Sequence, residues 1–412
     1  MSATLAINEA SNKLIREGRQ VIKFGLGQSP FPVPEVVKEE LRSNAHQKDY
    51  LPVAGLPELR KAVAEYHHNK NGVAISPENV LIGPGSKELM FLLQLVYYGD
   101  LVIPTPSWVS YAPQAHIIGR PIRWLPTNAK EKWKVTPEQI RTLCKDDPDK
   151  PRLLILNYPA NPHGYTYSES ELKTLAQVLR RYKVLVLSDE IYSELNFEDR
   201  HTSIARFYPE GTVISSGLSK WCGAGGWRLG TVAFPPNLCW LKKAMATVAS
   251  ETFTSTSTPI QYAAVRAYKG GTQIEKYLMN SRRILRCLSI ALVSRLKQAG
   301  LDVELPDGAF YLFIEFDPFK EKLHKRGITT SAQLCEKLME DTGVALLPGA
   351  DFGCSPEQLT ARLAYVDFDG ARALVAAEKV PADQLLTDDF ACQYGGNCVS
   401  GIERLIEWLT QE

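Results

Sequence analysis

A strong charge of either sign is missing from this chain: its 412 residues carry 47 Lys and Arg against 46 Asp and Glu, a net charge of +1. That balance gives no electrostatic footprint for nucleic acid or an anionic membrane surface. No apolar run approaches the ~20 residues of a membrane span, and the first residues lack the charged-then-apolar pattern of an export signal. These absences predict a cytoplasmic protein. The eight cysteines are scattered, with no CxxC pair, which excludes a disulfide scaffold and predicts reduced thiols, with Cys392 and Cys398 the one pair close in sequence. Repeats, low-complexity tracts and Gly/Ser linkers are absent, and no metal-ligand cluster is predicted. The length suffices for two domains, or for one large domain with a smaller partner.

Between residues 80 and 235 short apolar runs alternate with helical patterns. The runs are Val80–Ile82, Leu101–Ile103, Leu153–Leu156, Val184–Leu187, Val213–Ser215 and Leu229–Phe234. Apolar strands without polar alternation are buried on both faces, which predicts an α/β fold with a mostly parallel central sheet flanked by helices. Ser168 with Glu171 three residues on predicts a capped helix running towards Arg181. Further on, strands at Phe310–Phe316 and Val344–Leu347 with a helix at Ala332–Asp341 predict a smaller α+β domain, and the Pro-rich SPFPVP stretch is expected to pack with it. The expected division is 46–284 for the large domain, with 1–45 and 285–412 forming the small one.

In such a sheet, ligands gather beyond the carboxyl ends of the strands. Polar or glycine residues follow five of the runs: Gly85-Ser86-Lys87, Trp108, Asn157 with Asn161, Asp189, and Lys220. Ser86 and Lys87 open a helix, whose free N–H groups attract phosphate; the same residues also suit a plain helix cap. The GxxxxGK[ST] spacing of a P-loop is missing. Trp108 offers a broad face for stacking on a flat ring, or a core contact. Asn161 sits in a turn stiffened by two prolines. Asp189 ends a buried strand, where its charge can hold a ring nitrogen protonated, and Tyr192 follows it by three.

The stretch SSGLSKWCGAGGWRLG, Ser215 to Gly230, organises the rest. Lysine condenses with aldehydes, small neighbours let a flat ring approach the backbone, and Arg228 offers a fork for a dianionic phosphate. Together they suggest a pyridoxal 5′-phosphate site. Gly217, Ser219, Lys220, Gly223, Ala224, Gly226, Arg228, Leu229 and Gly230 fill every fixed place of the lysine-attachment signature of class I and II aminotransferases, which the segment resembles.

The resemblance covers about Leu14 to Asp367 and is nearest to the bacterial aspartate aminotransferase subgroup. It implies the fold type I architecture, Lys220 as the lysine that carries the cofactor and moves the proton, and Asp189 on the ring nitrogen. Asn161 and Tyr192 are implied at the phenolic oxygen, Trp108 on the ring face, and Ser86, Lys87 and Arg228 at the phosphate, with Ser219 or Ser216 as the substitute for a phosphate-binding serine. It further implies Arg362 on the substrate α-carboxylate, with Asn161 also at the substrate and Gly27 closing over it, and Lys87 on the distal carboxylate of a dicarboxylic substrate. Tyr50 is implied to reach the phosphate of a neighbouring subunit, hence a homodimer with shared active sites. The expected activity is ping-pong transfer of an amino group between an L-amino acid, with glutamate or aspartate as one partner, and a 2-oxo acid.

Three departures stand out. His163 replaces the usual threonine of Asn-Pro-Thr-Gly, Gly217 stands where many relatives carry a phosphate-binding serine, and about thirty extra residues, Asp369 to Val399, precede the last helix. The same scaffold also supports a carbon–sulfur β-lyase. An aminotransferase-like sensor domain would require a basic DNA-binding module, which the sequence does not show.

Overall fold

The computed structural model describes residues 3–411. Its main sheet has seven strands: β2 (Val80–Gly83), β3 (Asp100–Thr105), β4 (Ile122–Pro126), β5 (Arg152–Asn157), β6 (Leu185–Asp189), β7 (Thr212–Gly217) and β8 (Gly230–Ala233); β1 (Ile22–Lys23) lies elsewhere. The order is β2-β8-β7-β6-β5-β3-β4, and only β8 runs against its neighbours. Because β8 is antiparallel to both β2 and β7, the other six strands all point the same way. Their carboxyl ends therefore share one edge.

Burial explains the unbroken apolar runs. Along β3, Leu101 and Ile103 join the cluster on one face of the sheet, while Val102 joins the cluster on the other. The helix Glu169–Arg181 begins in the expected capping box, with the Glu171 N–H donating to Ser168 Oγ and the Ser168 N–H donating to the Glu171 carboxylate at 2.7 Å. It buries Leu172, Leu175 and Leu179 against the second face. The sequence reading missed β4: it is an edge strand with Arg123 and Trp124 exposed and a closing proline, so its apolar signal is diluted.

A second region contains β9 (Tyr311–Glu315), β10 (Val344–Ala345), β11 (Leu347–Pro348) and β12 (Thr360–Ala364). The expected strand Val344–Leu347 is in fact two, because β10 pairs with β1 while β11 pairs with β12 in the antiparallel sheet β11-β12-β9. All four residues are buried, so hydrophobicity alone does not mark the break. The expected helix spans Ser331–Thr342, capped by Thr330 and Gln333.

The N-terminal segment serves both regions. β1 pairs with β10, and the Phe24 carbonyl accepts from the Ala364 N–H at 2.9 Å. Phe31 of SPFPVP meets Phe368 and Tyr277 edge-on, whereas the helix Glu35–Asn44 packs on the helix Thr258–Lys269. The helix Thr272–Gln298, 27 residues and about 40 Å long, runs unbroken across position 284/285.

The extra segment forms the helices Gly370–Ala377 and Asp388–Tyr394, both lying against the helix Thr272–Gln298. Arg283 clips the turn between them, donating to the carbonyls of Ala377, Val380, Pro381 and Gln384 at 2.8–3.3 Å. Arg295 grips Asp388 through two hydrogen bonds of 2.7 and 2.9 Å. The segment thus covers a helix face, and none of its residues lines the cleft described next.

Candidate active site

At the shared strand edge opens a cleft of about 340 Å³. Twelve of the residues singled out in the sequence line it: Gly27, Ser86, Lys87, Trp108, Asn157, Asn161, Asp189, Tyr192, Ser219, Lys220, Gly226 and Arg228; Arg362 is not among them. They come from loops after β2, β3, β5, β6 and β7, with Gly27 arriving from the N-terminal segment. Tyr50 lies outside it, 89% exposed.

Lys220 sits three residues beyond β7, and its Nζ donates to the Gly27 carbonyl at 2.6 Å. Burial first, then the positive charges of Arg362, Arg228 and Lys87, pull its pKa down to about 8; Asp189 opposes them. The amine is poised near neutrality as a base and nucleophile.

Asp189 ends β6, in register with Asn157 of β5 and Ser215 of β7. Its Oδ2 accepts from the Tyr111 hydroxyl at 2.6 Å, and its Oδ1 faces the Ile191 N–H at 3.4 Å. Burial raises its pKa to about 6, with the Tyr111 hydrogen bond pulling the other way. Asn157 ties the floor together: its amide donates to the Asp189 carbonyl and its Oδ1 accepts from the Asn161 N–H, both at 2.8 Å.

Arg362 lies on β12 and is 1% exposed, so it is no surface ion pair. Nη1 donates to Asn161 Oδ1 at 3.2 Å and Nη2 to the Gly25 carbonyl, while the buried Nε has no partner. The guanidinium lies between the rings of Tyr311 and Phe352, 4.8 and 5.2 Å from their centroids. A buried guanidinium with no carboxylate partner among the described residues has the chemistry to take a carboxylate as a fork. The Tyr192 and Tyr311 hydroxyls share a 2.6 Å hydrogen bond beside it.

A second anion cradle forms at the start of the helix Ser86–Val96. Arg228 adopts a left-handed backbone with φ 54° and packs its guanidinium over Gly85, where a Cβ would come within 2.3 Å of Nη2. A Cβ on Gly230 would lie 2.2 Å from the Ser86 nitrogen. Bare backbone, a helix start and a guanidinium fit a phosphate. Gly217 is explained by its crowding: a Cβ there would lie 2.7 Å from the Leu229 carbonyl; of the serines in this segment, Ser219 and not Ser216 lines the cleft.

Trp108 is half-buried at the cleft wall, edge-on to Tyr111 at 5.2 Å, with Lys87 Nζ 5.1 Å from its ring centroid. His163 does not reach the cleft. Its Nδ1 accepts from the Tyr165 N–H at 3.2 Å and its ring stacks on Tyr165, with burial pulling its pKa down to about 3.

Two residues escaped the sequence reading. Tyr111 stands three positions after Trp108, its N–H donating to the Trp108 carbonyl at 3.2 Å, at the start of the helix Tyr111–Ile117. Tyr311, within an aromatic strand, carries no polar signal at all.

Comparison with known proteins decides the family. The aminotransferase class I and II profile matches residues 19–377. The chain belongs to that family. It is 33% identical to the aspartate aminotransferase of Geobacillus stearothermophilus over 375 residues, covering 88% of this chain and 91% of the relative. It is 32% identical to the probable aspartate/prephenate aminotransferase of Thermus aquaticus over 356 residues, 85% and 89% of the two chains. The aspartate aminotransferase of Thermus thermophilus, solved with maleate, superposes with a TM-score of 0.84 at 29% identity, covering 99% of this chain and 96% of the other. This aminotransferase therefore shares with the Thermus thermophilus structure its large mostly parallel sheet and its smaller domain. No helix among the described residues is long and apolar enough to cross a membrane.

Proposed function

We propose that this aminotransferase binds pyridoxal 5′-phosphate in the cleft and transfers the amino group of glutamate or aspartate to a 2-oxo acid. The observation that carries the reading is a single cleft lined by the Lys220 amine, its pKa pulled down to about 8, the buried carboxylate of Asp189 and the Ser86–Arg228 cradle, with Arg362 buried behind Asn161. When bound, the cofactor supplies an electron sink for the charge left when a proton leaves the substrate Cα. Ser86, Ser219 and Arg228 hold its phosphate, Trp108 covers its ring, and Asp189 pairs with its ring nitrogen. Asn161 and Tyr192 donate to its ring hydroxyl. Arg362 exchanges the Gly25 carbonyl for the substrate α-carboxylate, which it grips as a fork. Lys220, released from Gly27, takes the proton from the substrate Cα. Closure of the N-terminal segment over Lys220 excludes water from that proton.

Lys87, exposed at the mouth, pairs with the distal carboxylate; maleate in the Thermus thermophilus structure is a dicarboxylate of the same kind. Tyr50, exposed on this subunit, serves the phosphate site of a second copy in a homodimer. The same reading assigns 46–284 to the cofactor domain and 1–45 with 285–412 to the small domain. All eight cysteines are unpaired, which suits a cytoplasmic enzyme.

The test is product analysis of purified protein given aspartate and 2-oxoglutarate. Equimolar oxaloacetate and glutamate are expected, with Lys220→Ala inactive. Ammonia released without an acceptor would refute transamination and favour a lyase.

A further inference from the structure

Asp189 is 2% exposed and offers two acceptor oxygens, but the structure gives it only one short donor. Ile191 approaches Oδ1 at 3.4 Å, and the Asn157 amide goes to the Asp189 backbone carbonyl instead. Tyr111 alone comes within 2.6 Å of the carboxylate. Tyr111 is itself 1% exposed and is held edge-on against Trp108 at 86°. One residue therefore fixes both the indole that covers the ring and the carboxylate that meets its nitrogen.

We infer that the Tyr111 hydroxyl is a positioning group for the reaction, keeping Asp189 ionised and aimed so that the shared proton stays on the cofactor's ring nitrogen. The inference rests on the cofactor assignment above. The groups facing Asp189 are Glu190, Lys220, Tyr192 and Tyr111. Glu190 is held ionised despite its burial by His201, 2.9 Å away, and by Ser203, and its negative charge pushes Asp189 towards protonation. Lys220 opposes it from across the cleft. Burial and the Asp189 charge hold the Tyr111 hydroxyl far above its ordinary pKa, so it remains a donor throughout the working range. A carboxylate without that donor becomes the better base and draws the proton from the ring, weakening the electron sink.

Tyr111→Phe keeps the edge contact with Trp108 and removes only the hydroxyl. Two quantities are measured from pH 5.5 to 9: the dissociation constant of pyridoxal 5′-phosphate from the apoprotein, and kcat and KM for aspartate. The variant is expected to bind cofactor about tenfold more weakly near pH 6.5, with the deficit shrinking as pH rises. The acid limb of kcat/KM should move up by roughly one pH unit, with kcat changing more than KM. In an Asp189→Asn background, Tyr111→Phe should add no pH-dependent loss. A site-specific 3-fluorotyrosine at 111, a stronger donor that preserves packing, should move the limb down. Unchanged binding and profile, or an equal loss at every pH, would overturn the inference alone. A wild-type chain that takes up no cofactor would overturn the assignment beneath it and the inference with it.

Discussion

The reactivity of Lys220 gives a quantitative test of the cleft's electrostatics. With a pKa of about 8, about one amine in ten is neutral at pH 7, against roughly one in 2,500 for a lysine titrating near 10.4. Only the neutral amine attacks a carbonyl. The rate at which a small uncharged aldehyde modifies Lys220 in the apoprotein, trapped by mild reduction and read by peptide mass spectrometry, should therefore have its midpoint near pH 8. Surface lysines in the same digest provide the internal standard near their ordinary value. Burial is the first cause of the shift and Arg362 the second. Arg362→Gln should accordingly raise the midpoint by about half to one unit and leave it below 10. Asp189→Asn removes the one negative neighbour that favours the charged amine, and should lower it. The opposite signs of the two variants are the discriminating result. A wild-type midpoint with the surface lysines, or the same direction of change in both, would refute the reasoning.

Three further outcomes follow from named contacts. Arg362→Lys replaces a planar fork with a point charge inside an enclosed site, and should lower kcat/KM for every amino acid by about 100-fold or more, measured by steady-state kinetics. Lys87→Ala should reduce kcat/KM for aspartate and glutamate by about tenfold or more while leaving alanine and phenylalanine nearly unchanged; equal losses for all four would remove Lys87 from substrate selection. Arg283→Ala strips four carbonyls of their donor and should destabilise the protein by about 2–4 kcal/mol in denaturant unfolding. Activity in buffer should hold, since the extra segment stays outside the cleft.

Much of this site was legible because parallel-sheet geometry turns sequence order into position. Each apolar run ends where its next polar residue must emerge, and five such ends shared one edge once β8 alone was reversed. Lys220, Asp189 and Asn161 follow from that rule together with the attachment signature. Tyr111 and Tyr311 did not, because a tyrosine on an amphipathic turn or in an aromatic strand has the same pattern whether its hydroxyl meets solvent, a carboxylate or another hydroxyl. The run Val344–Leu347 concealed a change of sheet, since every residue in it is buried on either side of the break. β4 was hidden by its position at the sheet edge. The place of Asp369–Val399 depended on Arg283 and Arg295, whose contacts to that segment are four backbone carbonyls, Asp388 and Cys392, about a hundred residues away, and leave no local motif.

The most direct test of the central claim is a single half-reaction. Purified enzyme loaded with pyridoxal 5′-phosphate is mixed with excess ¹⁵N-glutamate and no acceptor, and the released 2-oxoglutarate is counted against sites. One equivalent per subunit, with the ¹⁵N retained on the protein fraction until oxaloacetate is added and then recovered in aspartate, is the expected result. Continuous release of 2-oxoglutarate with free ¹⁵N-ammonia, or no release at all from cofactor-loaded protein, would contradict it.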